Sequence, residues 1–513
     1  MGESSHGLSG KKESAVTLST AWRSKTPIWA FQDQPSGGGA RRGSDYVASL
    51  RDNRQVWYDG RKIDVVEHSA TRGIIRTLAA LYDQQHADAH CDAMTFVSPD
   101  SGHRVSRSYQ LPKTRQHLTA KWKNSHRWME LSLGQLPRLP DFMANVVVGL
   151  YDYRHELGRC DPRFERNVEW YLRHCRENDL AITHALGDPQ IDRSSGPNED
   201  PDMALRVLAR RPEGIVVRGA KQLATLAPAA HEVLIYMSPS FALRDKPECV
   251  AWFALPIATP GLLVLCREQL SRNEDSHIHP LANTYDEQDA MLFFDDVLVP
   301  WERVFLLDDA RAAFDGFFRL NLWSLYVGQI RFYHRLRFLL TVGTMCAEAI
   351  GTVDFRETQD KLGELACYVE MIRLALEGMH ARAIRTPSGL WAPDSTLGPD
   401  VFAAQVASRA TEIVRAIAAS GIVMQPSEAD LRAPELRQAL EKYMRGKGIA
   451  VDSKARLFRL AWDLTSDSYG MRQEIYETWN RGDVVRNRIH LYKTYDLSPV
   501  RTQVEEIIAR STR

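Results

Sequence analysis

The chain has 513 residues, 44% hydrophobic and 25% charged, and its 65 Lys plus Arg balance 65 Asp plus Glu. That balance excludes the strongly basic character that retains nucleic acid or an anionic membrane surface, and no apolar run approaches the ~18 residues of a membrane span. Seven cysteines (Cys91, Cys160, Cys175, Cys249, Cys266, Cys346, Cys367) form no Cys-x-x-Cys pair, so they read as reduced core thiols of a cytoplasmic globular protein with a small-molecule partner.

Residues 1–40 carry no apolar signal core and end on SGGGA (36–40), so they read as a disordered arm. Order is expected from SDYVASL (44–50), where Ser44 and Asp45 precede spaced apolar residues. WYDG (57–60) is a turn with aromatic flanks. Ile74, Ile75, Leu78, Leu81 and Tyr82 fall at helical spacing over 71–86. Pro140 opens a second helix, with Met143, Val146, Val147 and Leu150 as its stripe, and 163–180 is a third.

The period then changes. Runs at 214–219, 232–236, 251–255, 262–266 and 291–294 are short, β-type and separated by Gly, Pro and Asp. After VPWERVF (299–305) helical patterning returns almost to the end, strongest at 401–422 and 454–465. The expected organisation is a helical domain at 41–180, a central β domain at 181–306 and a helical bundle at 307–513.

Three segments carry side chains suited to chemistry. THALGDPQIDR (183–193) sits where the third helix gives way to the β block. His184 titrates near neutrality and can take or hold a phenolic proton, and Gln190, Asp192 and Arg193 could hydrogen-bond a heterocycle. The same stretch also reads as a satisfied turn with His184 as a cap or core residue. GQLPRLPDF (134–142) places Arg138 just before a helix, where a permanent cation could hold a phenolate or carboxylate; a surface Arg near a helix start fits equally. WNRGD (479–483) is a turn between helices, with Gly482 as a C-cap at positive φ. There is no GxGxxG after a strand, no GxxxxGK[ST], no HExxH and no GxSxG, so a dinucleotide on a Rossmann domain is not expected.

These segments, in this order, resemble the 4-hydroxyphenylacetate 3-hydroxylase family of flavin-dependent oxygenases, which includes chlorophenol monooxygenases. The likeness spans 41–495 through GSDYVASLR (43–51), RTLAALYD (76–83), RLPD (138–141), THAL (183–186), VRGA (217–220), FDDVLVPWERVF (294–305), ASG (419–421) and LFRLAWD (457–463). The resemblance implies a mainly α, acyl-CoA dehydrogenase-like fold: an N-terminal helical domain, a β-barrel-like middle domain and a C-terminal four-helix bundle. It implies a cytoplasmic homotetramer that takes FAD as FADH2 from a separate NAD(P)H:flavin reductase. With O2 it would hydroxylate a phenol ortho to its hydroxyl, and the phenol could be free or tethered to an acyl or peptidyl carrier protein. No metal is implied.

Carried onto this chain, the resemblance places Arg138 and His184 in the catalytic phenol site, with Phe142 and Ser238 also facing substrate. It places His184, Ala185, Leu186, Gln190, Ile191, Asp192 and Arg193 along the flavin, Thr225 against its ring, and Arg481, Gly482, Asp483 and Val484 where a C-terminal turn closes over the cofactor. One departure stands out: the family has Tyr four residues after the Arg, and this chain has Phe142. Residues 315–334 also match poorly. The rivals on the same fold are an acyl-CoA dehydrogenase and a hydroxyacyl-CoA dehydratase. The second needs a Cys pair where Arg138 and Phe142 stand, because iron–sulfur clusters are held by thiolates. An inactive flavin-fold scaffold is the non-enzyme reading.

Overall fold

The structure is a computed structural model that describes residues 38–192, 194, 199–237, 246–271 and 278–511. Residues 1–37, Arg193 and Ser238 lie outside these described residues.

The helical beginning follows the periodicity. Helix α1 (Ser69–Gln84) is capped by His68, whose side chain accepts from the Ala70 N–H, and it buries Ile74, Ile75, Leu78, Leu81 and Tyr82. Helix α2 (Arg115–Leu131) starts on Thr114, whose hydroxyl accepts from the His117 N–H. Helix α3 (Pro140–Asp152) has Pro in its first turn, where the missing N–H costs no bond. Nearly all of α3 is buried, because it is packed from several sides at once. Helix α4 (Pro162–Glu177) is capped by Asp161 and ends three residues earlier than the pattern of 163–180 suggests.

Ten strands take part in the two main sheets: β1 (Gln55–Tyr58), β2 (Arg61–Lys62), β3 (Ile182–Ala185), β4 (Arg206–Arg211), β5 (Gly214–Thr225), β6 (Glu232–Ile235), β7 (Ala251–Pro256), β8 (Leu262–Cys266), β9 (Asp289–Pro300) and β10 (Val304–Leu307). The six-stranded sheet runs β2-β1-β8-β9-β5-β4 and the four-stranded sheet β10-β7-β6-β3. The expected aromatic turn is a hairpin turn, with Asp59 at φ 49° and Gly60 at φ 73°, and β1 before it pairs in parallel with β8. So residues from the helical half of the chain complete the β domain.

The C-terminal half is helical: α5 (Ala310–Leu320), α6 (Leu322–Ile350), α7 (Arg356–Ala381), α8 (Leu397–Ala418), α9 (Val451–Thr465) and α10 (Ser468–Trp479). Helices α6, α7, α8 and α9 pack together as a bundle, α10 lies on α8 and α9, and α3 rests on α6. One continuous apolar core runs through all three regions, from Tyr46 through Phe253 to Leu464. This is the mainly α architecture with a central β domain expected from the sequence. Among the described residues no helix is long and apolar enough to cross a membrane.

Candidate active site

Arg138 is placed by a loop pressed onto the bundle. Gly134 has φ +66°, and a Cβ there would lie 2.6 Å from the Arg335 nitrogen and 2.7 Å from the Arg331 carbonyl oxygen. Glycine is what permits this approach. The loop is then tied down: Arg331 donates to the Gly134 carbonyl (3.2 Å), Arg335 to Gln135 Oε1 (2.8 Å), and Tyr469 and Gln473 to the Gln135 carbonyl (3.2 and 3.1 Å). The Arg138 N–H donates to Glu287 Oε1 at 2.6 Å.

Four residues on, in the first turn of α3, the Phe142 ring lies 4.4 Å below the Arg138 guanidinium carbon. Arg138 Nη1 donates to the Tyr476 hydroxyl from α10, while its Nε is buried without a hydrogen-bond partner. A buried guanidinium with an unused donor is suited to receive an anionic oxygen.

His184 also packs against the Phe142 ring, edge to face, with centroids 6.0 Å apart. It belongs to β3, so the segment read from the sequence as a junction is in fact the inner edge of the four-stranded sheet. His184 Nδ1 lies 3.0 Å from the Tyr236 hydroxyl, which lies 3.3 Å from Asn321 Oδ1. Burial first, and then the nearby Arg138 charge, pushes the imidazole well below its usual range, so it is neutral.

The residues expected beside a flavin join β3 of the four-stranded sheet to the end of β5 in the six-stranded one. Thr183 donates to the Thr225 carbonyl at 2.5 Å, and the Thr225 hydroxyl donates to Asp289 Oδ1 at 2.7 Å. Asp289 is held by Arg472 (2.5 Å) and Arg267 (3.0 Å), and Arg472 also reaches Glu287 at 3.4 Å. Thus one chain of charges, Arg138 backbone to Glu287 to Arg472 to Asp289 to Thr225, links the two ends of the site. Burial pushes the Glu287 carboxyl up to about 7 against the pull of Arg472. Beyond Ala185 the chain emerges: Leu186 is half-buried, and Gln190, Ile191 and Asp192 are exposed.

The last predicted group divides. Gly482 has φ 85°, as its turn requires, and exposed Asp483 caps the next helix by accepting from the Arg486 N–H at 2.6 Å. Arg481 turns inward, to Glu477 (3.2 Å) and Asp400 (3.4 Å), over the Phe332 ring. Glu477 also pairs with Arg331, which lies over Tyr476, so Arg481 connects to Arg138 only through this interior network. Glu287, Asn321, Arg472 and Tyr476 went unremarked in the sequence, and Tyr236 was read only as the end of a strand. No local pattern marks any of them, because the partners that matter here are 52 to 338 residues away. Among the described residues, His279, Asp463 and Asp467 bring ligand-type atoms within 4.8 Å of one another, but Asp463 already caps the Leu281 and Ala282 N–H groups.

Comparison with known proteins bears on the whole chain. The N-terminal model of the 4-hydroxyphenylacetate 3-hydroxylase family matches residues 42–306 and the C-terminal model residues 315–509. The 4-hydroxyphenylacetate 3-monooxygenase oxygenase component of Thermus thermophilus is 35% identical over 483 residues, covering 92% of this chain and 98% of its own. A crystal structure of such an oxygenase component, complexed with FAD and 4-hydroxyphenylacetate, superposes with TM-score 0.87 at 34% identity, covering 92% of this chain and 99% of that one. An archaeal 4-hydroxybutyryl-CoA dehydratase from N. maritimus shares the fold at TM-score 0.81 but only 20% identity, covering 92% of this chain and 95% of its own.

Proposed function

This chain belongs to the 4-hydroxyphenylacetate 3-hydroxylase family, and from that premise we propose that it is the oxygenase component of a two-component flavin monooxygenase that hydroxylates a phenol ortho to its hydroxyl. The observation that carries this reading is the triple Arg138–Phe142–His184: a buried cation with a spare donor and a neutral base, both against one aromatic ring.

The residues present fit a reduced FAD. Thr225 has spent its only hydroxyl proton on Asp289, so it can meet the cofactor only as an acceptor. A reduced flavin carries a ring N–H that the oxidised form lacks. Ala185, Leu186, Gln190, Ile191 and Asp192 lead from that point to the surface, where exposed Ile191 offers apolar cover. Arg193 belongs to the same run by resemblance, as Ser238 belongs to the substrate side. Gly482, Asp483 and Val484 are the part of the C-terminal turn free to face a cofactor, while Arg481 braces the turn from inside. When bound, reduced FAD supplies the electrons that activate O2, and O2 supplies the inserted oxygen.

The protein's own residues then do three things. Arg138 stabilises the charge that ionisation places on the phenol oxygen. His184 receives the phenol's proton. The packed Phe142 ring and the surrounding core exclude water that would divert the activated oxygen. Phe142 in place of Tyr favours a ring with an apolar edge, such as a halogenated or alkylated phenol. The stripe Val500, Val504, Ile507 and Ile508 on an exposed C-terminal helix supports association into a homotetramer, which light scattering would measure.

The test is a panel of phenols incubated with FADH2 and O2, followed by product mass. A product heavier by one oxygen is expected with at least one phenol. NADH with FAD should not be consumed unless a flavin reductase is added, and catalytic NADH loss with this chain alone would overturn the two-component reading.

A further inference from the structure

We infer that Tyr236 and Asn321 lock His184 in the tautomer that carries its proton on Nδ1, so that Nε2 meets the phenol as an acceptor and the substrate enters with its hydroxyl un-ionised. This rests on the reading of His184 as the phenol's proton partner, and it adds two positioning residues that act through His184.

The hydrogens can be assigned in order from one fixed end. The Phe317 carbonyl can only accept, and Asn321 faces it at 2.7 Å, so that side of the amide is the NH2 group. The Asn321 Oδ1 therefore faces Tyr236, at 3.3 Å, and also lies 3.2 Å from the Ser324 hydroxyl. A tyrosine hydroxyl has one proton. With that proton donated to Asn321, the Tyr236 oxygen has only lone pairs left for His184 Nδ1, 3.0 Å away. Nδ1 must then be the donor. A neutral imidazole has a single N–H, so Nε2 is bare. The reverse assignment would set the Tyr236 and Asn321 lone pairs against each other in a buried site, where an unmet acceptor costs about 1–3 kcal/mol.

The charged and titratable groups facing His184 are Arg138 and Tyr236. Burial first and then the Arg138 charge oppose protonation of His184, and Tyr236, whose hydroxyl burial keeps from ionising, supplies no counter-charge. Asn321 lies between α5 and α6 and reaches His184 through two hydrogen bonds.

The chemistry follows directly. When phenol binds, its O–H bond breaks and the proton moves to Nε2, leaving the electron pair on oxygen beside Arg138. His184 becomes an imidazolium, with Nδ1–H still bonded to Tyr236, and returns the proton to the product's oxygen. A phenol already ionised in solution would instead point its lone pairs at the bare Nε2. The site therefore selects the un-ionised phenol.

The direct test is the ring 15N spectrum of His184 in full-length, histidine-labelled protein without flavin or substrate, its signals assigned by their loss in His184→Asn. A protonated Nδ1 and a bare Nε2 are expected, unchanged from about pH 6 to 9. A proton on Nε2, or a mixture of tautomers, overturns the inference. This readout needs no activity, so it stands or falls separately from the hydroxylase reading. In Tyr236→Phe, and independently in Asn321→Leu, the signals should become a mixture. Against the roughly 10²–10⁴-fold carried by a placed general base, each change should lower kcat by about tenfold with little effect on KM. That deficit should shrink above the phenol's own pKa, where wild-type KM rises and the variants' does not. A deficit equal at every pH would make both residues merely structural and overturn the assignment.

Discussion

The guanidinium of Arg138 stacks on the face of Phe142 with 4.4 Å between its central carbon and the ring centroid. The stack fixes the plane of the guanidinium, and the Nη1 bond to Tyr476 fixes its rotation within that plane. What remains free is the buried Nε. An ammonium could supply charge at this place but not a planar fork. Arg138→Ala and Arg138→Lys should therefore both lose transition-state stabilisation, about 10²–10³-fold in hydroxylation if this donor behaves like an oxyanion-hole donor. O2 should still be consumed and appear as H2O2. Parallel O2, H2O2 and product measurements check it, and near wild-type coupling in either variant would remove Arg138 from the reacting site.

Thr225 makes a prediction about redox state. Its hydroxyl proton is committed to Asp289, so its cofactor partner must be a donor, and we assign it the ring N–H that only reduced FAD carries. Thr225→Val should weaken binding of reduced FAD and leave oxidised FAD nearly unchanged. One hydrogen bond is worth about 0.5–1.5 kcal/mol net, or about two- to tenfold in Kd. Anaerobic titration beside aerobic titration reads the difference. Asp289 keeps Arg472 and Arg267 in the variant, so the fold should not suffer.

Much of this was legible because helices announce themselves by spacing. α1 and α3 bury the residues their 3.6-residue period selects. α2 escaped because its buried face includes Lys121, Asn124 and Ser125, polar groups that only tertiary partners make tolerable. Lys121, for instance, donates to the Ser108 carbonyl. Strand β3 escaped because four residues ending in His and Ala carry no period. In the site, Arg138 and His184 were legible from motif resemblance, but what aims them was not. Tyr476 is 338 residues from Arg138, and Asn321 is 85 from Tyr236, so no local pattern could join them.

Glu477 tests the framework behind the site. Burial pushes its carboxyl up, but Arg331, Arg481 and Arg335 together outweigh that and hold it down at about 2. Its folded value lies below the ordinary 4.5, so the stability it contributes is present above that range and is lost as pH falls toward 2. Glu477→Gln leaves buried Arg331 and Arg335 without their carboxylate and Arg481 with Asp400 alone. Breaking a buried pair from one side costs about 3–5 kcal/mol. The variant should show a lower Tm at neutral pH and a smaller loss of stability between neutral and acid pH. Equal acid sensitivity in variant and wild type would mean that the network contributes nothing through this group.

The family resemblance sets Tyr where this chain has Phe142, and the packing around that ring bounds what a hydroxyl there would meet. One face of the ring carries Arg138, and His184 stands at 6.0 Å across a 74° interplanar angle. In Phe142→Tyr the added hydroxyl lies in a buried site whose base, His184, is already bonded to Tyr236 through Nδ1. With the native substrate bound, that hydroxyl lacks a partner, at a cost of about 1–3 kcal/mol, so kcat/KM should fall by about tenfold. With a simple 4-hydroxyphenylacetate-like phenol the hydroxyl can bond the substrate oxygen, and kcat/KM should rise. Comparing both substrate types in both proteins gives four numbers whose crossed pattern is the expected result. If neither substrate responds, Phe142 only packs beneath Arg138, and discrimination must come from elsewhere in the site.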